Sequence, residues 1–328
     1  MQKDYLPTAN LELLRQRAAL LRCVRAFFDV RGFLEVETPL LSHDTVVDRH
    51  LDPFVTRHVP EPTRPGQGTE LFLQTSPEFG MKRLLAAGAG PIYQITRSFR
   101  NGERGPLHNP EFTILEWYRP GDGYQQGIQL LADLASELSG AKSVDTLTYA
   151  QVFQTHYQLT PHTATLEDLQ AAAQQAALGA PDSLGTDRDG WLDFLLTERI
   201  QTHLGQTAPV ILCDYPASQA ALAQTRFDSA LGCDVAERFE LYWHGIELAN
   251  GYHELLDPEV LRARNATNNA LRASDGKSTL PAESRLLAAM DAGLPACSGC
   301  ALGLDRLLMI LAGAETIEQV LAFPLENS

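Results

Sequence analysis

Apolar side chains from Leu13 to Phe28 recur at close to helical spacing. Leu13, Leu14, Leu20, Leu21, Val24, Phe27 and Phe28 form one stripe, which predicts an amphipathic helix. Asn10 stands where an N-cap belongs, and Gly32 closes the helix at a C′-like position. Apolar and acidic residues alternate from Leu34, so Phe33–Glu37 reads as a strand that Thr38-Pro39 ends. Residues 56–69 are rich in Pro, Gly and polar residues and read as a loop. Glu70–Gln74 is a short strand, and Pro77 opens a helix to about Ala87. Pro91–Ile95 and Phe112–Tyr118 are strands joined by a charged, glycine-containing loop. From 123 to about 205 the pattern is mostly helical, which suggests a helical insertion. Strands return at Pro209–Cys213, Asp234–Trp243 and Ile246–Tyr252. Helices follow at Pro258–Ala273 and Pro281–Ala292, then a small-residue strand at Ser298–Leu302 and a last helix from Leu304. There is no internal repeat, and the strands cluster around two hairpins. The pattern predicts an α+β fold with an antiparallel sheet, not a doubly wound parallel one.

Composition narrows this further. The chain has 328 residues, 44% apolar and 20% charged, which is a globular balance and fits one large domain over 1–328. A net charge of −15 argues against broad binding to phosphate backbones, which needs a cationic surface. No stretch reaches the roughly 18 apolar residues of a membrane span, and the first residues carry no apolar leader core. Five cysteines, an odd and small count, fit a reducing compartment. The expectation is a cytoplasmic protein with no membrane partner. Cys297 and Cys300 have no second pair at zinc-finger spacing and read as buried small residues; the nine histidines show no metal-ligand spacing.

Four segments carry candidate chemistry. The loop Arg97–Pro110 holds three arginines, a glutamate and a histidine. It suits a polyphosphate, since arginine forks bind phosphate oxygens and glycines admit close approach; it equally suits a solvated hairpin. On the next strand, alternation sets Phe112, Ile114, Glu116 and Tyr118 on one face and Thr113, Leu115, Trp117 and Arg119 on the other. That first face is either a wet edge or a pocket floor with a ring, a carboxylate and a phenol. The hairpin Ala236–Glu254 carries Glu237, Glu240, Glu247, Asn250 and Glu254. Strict alternation opposes Glu247 to Asn250 and Glu254 unless a bulge near Asn250-Gly251 reconciles them. Such carboxylates repel one another unless cations intervene, as Mg²⁺ and a substrate ammonium do; the alternative is a wet acidic face. Last, Ser298–Met309 turns from strand to helix with Arg306 in the first turn. A helix N-terminus plus Arg is an anion site in principle, while Asp305-Arg306 alone reads as a surface ion pair.

Together these segments resemble the catalytic domain of class II aminoacyl-tRNA synthetases, specifically the lysyl branch. Motif one resembles the early helix and strand ending at Pro39. Motif two resembles Phe99-Arg100-Asn101 through His108-Asn109-Pro110-Glu111-Phe112, and motif three Ala301-Leu302-Gly303-Leu304-Asp305-Arg306. Thr75-Ser76-Pro77-Glu78 and Gly245–Gly251 resemble lysyl-type substrate segments. The resemblance implies an antiparallel six-stranded sheet flanked by helices and a homodimer built through motif one. It implies ATP-dependent activation of an amino acid, with Mg²⁺ held by Glu240 and Glu247. Arg100 then holds the α-phosphate, Arg306 the γ-phosphate, and Phe112 stacks on adenine. Asn101, Glu103, His108, Asn109, Glu247, Leu248 and Gly303 complete the ATP site. Ser76, Pro77, Glu78, Glu116, Tyr118, Asn250, Glu254 and Ala301 line the amino-acid site. Glu78, Glu116, Tyr118 and Glu254 hold its ammonium groups.

Three departures refine the expectation. The chain begins directly at the catalytic segments, with no room for an anticodon-binding domain; with the net charge of −15, tRNA becomes a poor acceptor. Ala301 stands where lysyl synthetases usually carry glycine, so an isomer such as (R)-β-lysine fits beside lysine. Gly102 replaces the family's glutamate, with Glu103 next to it. In these features the chain resembles the short lysyl-synthetase paralogues that ligate a β-lysyl group to a lysine ε-amine of translation elongation factor P; Pro216-Ala217-Ser218-Gln219-Ala220 matches that branch. A minimal enzyme charging RNA and a non-catalytic amino-acid sensor are the alternatives.

Overall fold

A computed structural model describes residues 5–61 and 63–328. Residues 1–4 of the N-terminal stretch, and residue 62 of the loop expected at 56–69, lie outside the described residues. The chain divides into two compact units: Met1–Gly121 with Leu255–Cys297 and Ala301–Ser328, and Asp122–Glu254 with Ser298–Cys300.

The first unit opens with α1 (Leu11–Asp29), where the Asn10 side chain accepts from the Leu13 N–H at 2.9 Å. Gly32 takes φ +76, the left-handed turn that ends the helix. β1 (Leu34–Glu35) is only two residues long and both of its residues are exposed, so Leu34 does not face the core as the alternation leads one to expect; Phe33, just before it, is the buried residue. The cause is packing, since the Phe33 ring meets Phe28 of α1 at 5.1 Å. β2 (Leu41–Ser42), β3 (Val55–His58) and β4 (Thr69–Leu73) form a small antiparallel sheet in the order β2-β4-β3. The stretch read as a loop therefore starts inside a strand, because Val55 and Thr56 pair with Phe72 and Leu71. After α2 (Glu78–Ala86), β5 (Ile92–Phe99) and β6 (Glu111–Pro120) form a long antiparallel hairpin with Gln94 opposite Glu116, and β1 runs parallel to β5. One face of this hairpin packs on α1, where Phe28 lies 4.8 Å from the Tyr93 ring and 5.3 Å from Trp117.

The second unit begins with α3 (Tyr124–Ser139), β7 (Asp145–Thr148), α4 (Tyr149–Tyr157), α5 (Leu166–Gln175) and α6 (Arg188–Leu195). Its strands β8 (Val210–Pro216), β10 (Cys233–Trp243) and β11 (Ile246–His253) form a sheet in the order β11-β10-β8-β7, and β9 (Thr225–Asp228) pairs with the start of β10. The stretch 123–205 is mostly helical, with β7 interrupting it. Tyr149, Phe153, Leu192, Leu195, Leu212, Tyr215 and Tyr242 share its core. β10 and β11 change register: Leu241 pairs with Ala249 but Tyr242 with Glu247. Leu248 is thus an extra residue, a β-bulge. Arg238, Glu240 and Tyr242 consequently share a face with Tyr252, Asn250 and Glu247.

The chain then returns to the first unit with α7 (Pro258–Ser274) and α8 (Arg285–Gly293). α8 starts later than Pro281 because Ser284 is its N-cap, accepting from the Leu287 N–H at 3.2 Å. β12 (Cys297–Gly303) is divided between the units and leads into α9 (Leu304–Leu311). With β1, β5 and β6 in one unit, β7 to β11 in the other and β12 shared, main-sheet strands outnumber the six expected. Three of the additions, β1, β7 and β9, have four residues or fewer. Among the described residues no helix is long and apolar enough to cross a membrane.

Candidate active site

In the first unit the loop between β5 and β6 is closed at its neck by the Arg100 N–H donating to the Pro110 carbonyl at 2.9 Å. Among the described residues, Arg100 alone of the three arginines has no ion-pair partner outside the loop. Arg97 pairs with Glu111 at 3.5 Å, and Arg104 pairs with Glu318 and Glu326 near the chain's end. The Arg100 guanidinium lies 5.0 Å from the Phe112 ring centroid, within cation–π range. Its Nη1 is 3.5 Å from Glu103, and its buried Nε has no hydrogen-bond partner among the described residues. Gly102 takes φ +83, a conformation glutamate adopts only with strain. Glycine suits this turn better than the family's glutamate, and the neighbouring carboxylate, Glu103, faces Arg100.

Arg306, in the first turn of α9, reaches the same loop. Its Nε donates to the Leu107 carbonyl at 3.1 Å, and Nη2 lies 2.6 Å from Nε2 of His108. Burial, then the charge of Arg306, pushes the His108 pKa down; Glu103 opposes this and Arg100 adds to it. The imidazole is thus neutral at pH 7, with Nε2 accepting from the guanidinium. The penalty for protonating it is felt only as the pH falls below about 6.5, where a free histidine takes a proton. We expect stability to fall as the pH drops below about 6.5, and His108→Gln to lessen that fall, read from urea midpoints between about pH 7 and 5.5. Asn109 has a different occupation: its Nδ2 donates to the Glu111 carbonyl at 2.7 Å, and its Oδ1 accepts from the Leu325 N–H at 3.2 Å. Asn101 is exposed, and Gly303 is the N-cap residue of α9.

Asp305 departs from the surface ion pair expected. It is 1% exposed, pairs with Arg17 of α1, and accepts the Thr113 N–H of β6 at 2.6 Å. Arg17 also donates to the Thr113 hydroxyl at 3.2 Å. Asp305 therefore holds α9 against β6, which aims Arg306 at the loop.

The other face of β6 is not a wet edge. Glu116 is 1% exposed, and its cost of burial is offset by two donors: Ser76 Oγ at 2.6 Å and the Tyr118 hydroxyl at 3.1 Å. Ser76 Oγ also accepts the Glu78 N–H at 3.1 Å, fixing the turn through Pro77 into α2. Ser76, Glu78, Glu116 and Tyr118 are thus brought together in one unit. A buried lysine, Lys82, pairs with Glu78. Sequence reasoning missed it, although the i, i+4 spacing of Glu78 and Lys82 is visible in the chain. Ala301 lies half-buried in β12.

In the second unit the bulge at Leu248, not at Asn250-Gly251, places Glu247 and Asn250 on one face with Glu240. Leu248 itself is buried. Gly251 faces Phe239 across the ladder, where a Cβ would collide with its ring. The buried Asn250 Oδ1 is an acceptor without a hydrogen-bond partner among the described residues. Glu254 is buried and bridges to Ala223. Glu240 is 2% exposed and crowded with donors: the Tyr215 and Tyr242 hydroxyls reach Oε2, the latter at 2.6 Å, and Arg238 Nε reaches Oε1 at 3.1 Å. Asp193 of α6, also absent from the sequence reading, accepts from Gln219 at 2.8 Å. Among the described residues there is no group of three or more His, Cys, Asp or Glu placed to hold a metal.

The family model for class II tRNA synthetases (D, K and N) matches residues 4–327. The chain is 46% identical over 324 residues to the elongation factor P–(R)-β-lysine ligase of Klebsiella pneumoniae subsp. pneumoniae strain ATCC 700721 / MGH 78578, covering 98% of both proteins. A ligase of the same name from Klebsiella pneumoniae strain 342 is also 46% identical, and one from Salmonella dublin is 45% identical, each with the same coverage.

Proposed function

The chain belongs to the class II tRNA synthetases of the D, K and N type, and on that premise we propose that it activates (R)-β-lysine, or lysine, with ATP and transfers it to a lysine ε-amine of elongation factor P. The observation that carries this reading is the single face of β6. Phe112, under the Arg100 guanidinium, and Glu116, between Ser76 and Tyr118, lie four residues apart on it. That is about 13 Å along a strand, a span that seats a nucleotide at one end and an amine at the other. The orphaned Arg100 Nε fits a phosphate oxygen.

The mechanism needs no protein nucleophile. The substrate carboxylate attacks the α-phosphorus in line, an acyl-adenylate forms, and pyrophosphate leaves. The acceptor amine then attacks the acyl carbon and releases AMP. This chain's residues position and neutralise: Arg100 at the α-phosphate and Arg306 at the γ-phosphate, with neutral His108 orienting the second guanidinium. Mg²⁺, when bound to ATP, neutralises phosphate charge. Of its two expected carboxylates, Glu240 is occupied by Tyr215, Tyr242 and Arg238, so no step is assigned through it.

Exposed Val30 and Leu34, just after α1 and in β1, support a homodimer through this segment. The net charge of −15 favours a protein acceptor over tRNA. ATP–pyrophosphate exchange dependent on (R)-β-lysine, followed by label appearing in elongation factor P and not in total tRNA, is the expected result. Label in tRNA would favour the RNA-charging reading, and no exchange with any amino acid would favour a sensor. Ala301→Gly should shift the preference toward lysine by roughly tenfold in kcat/KM, because one methyl on a pocket wall is worth about 1–3 kcal/mol. An unchanged ratio of the two exchange rates would remove Ala301 from the specificity argument.

A further inference from the structure

Lys82 sits in the second turn of α2 and is 2% exposed, while the next residue, Arg83, reaches solvent. An ammonium is buried at high cost unless it is paired, so its inward placement is not a solubility feature. The Lys82 ammonium pairs with the carboxylate of Glu78, which opens the same helix. It also stands 5.9 Å from the centre of the Tyr118 ring, within cation–π reach. From there the contacts close on themselves. The Tyr118 hydroxyl donates to Glu116, Ser76 donates to the other Glu116 oxygen, and Ser76 accepts the N–H of Glu78. Lys82 therefore touches both a carboxylate and a phenol that the proposed function gives to the substrate's amines.

We infer that Lys82 is a positioning and charge-setting residue of the amino-acid pocket. It holds the Glu78 carboxylate in place from behind and sets a positive charge against it, so both the position and the local charge that Glu78 presents to an amine depend on Lys82. The inference rests on the assignment of Glu78, Glu116 and Tyr118 to the amino acid.

A double-mutant cycle in amino-acid-dependent exchange tests it, with K82M, E78Q and K82M/E78Q alongside wild type. K82M should raise the amino-acid KM by about tenfold or more and hold the ATP KM within about twofold. The double variant should be no worse than E78Q alone, because Lys82 acts through Glu78. Should K82M not fold, K82Q keeps a donor without the charge and enters the same cycle. Additive effects, or equal changes in the two KM values, overturn the role of Lys82. Absence of exchange in the wild type overturns the adenylation reading and this inference with it, so the two failures are distinguishable.

Discussion

Arg306→Ala should leave a folded protein whose amino-acid-dependent exchange is lower by about 10²–10³-fold, the usual size of one preorganised charge contact. The guanidinium belongs to no core. It is half-buried, and its neighbours on the loop are a carbonyl and an imidazole, both of which accept. Both acceptors hold the guanidinium toward the loop. Removing it takes a positive charge from the loop and leaves His108 without its donor, but opens no apolar cavity. The melting transition should stay close to wild type, which separates this outcome from unfolding. Arg306→Lys should recover part of the activity only, because an ammonium cannot span Leu107, His108 and an anion as a fork does. Wild-type exchange in the alanine variant would remove Arg306 from the mechanism.

Arg17→Met should cost about 3 kcal/mol of stability, read as a lower urea midpoint. The reason is the partner left behind: Asp305 is almost fully buried, and without Arg17 it becomes a carboxylate held only by the Thr113 N–H. Adding Asp305→Asn, which removes the charge and keeps an acceptor for Thr113, should recover much of the loss. A loss under about 1 kcal/mol for Arg17→Met would mean the pair behaves as an exposed one. Exchange activity should fall along with stability, since Asp305 and Arg306 are adjacent in the first turn of α9.

What the sequence made legible was local and periodic. α1 was readable from its apolar stripe and its Asn10 cap, and both faces of β6 from strict alternation. The nucleotide loop was found by composition, but not which arginine works in it. Arg104 is withdrawn by Glu318, which lies 214 positions away, and no spacing rule reaches that far. The same holds for Asp305, whose partner Arg17 lies 288 positions earlier. Strands of two to four residues, such as β1, β7 and β9, are too short to show a period. The need for a bulge was deducible from the parity of Glu247 and Asn250, yet its place was not. Backbone freedom pointed to Asn250-Gly251, while Gly251 is required instead by the ring of Phe239.

The extra residue at Leu248 makes β11 sensitive to counting as well as to chemistry. Deleting Leu248 restores a regular ladder and preserves every polar side chain of the hairpin. It also keeps Glu247 opposite Tyr242, on the side of Asn250 and Glu240, because Glu247 and Asn250 then stand two residues apart. What would turn Glu247 over is a ladder that keeps Leu248 and pairs it. Loss of this one codon should therefore be tolerated better than loss of any codon between Asn250 and His253, which shifts the strand by one step.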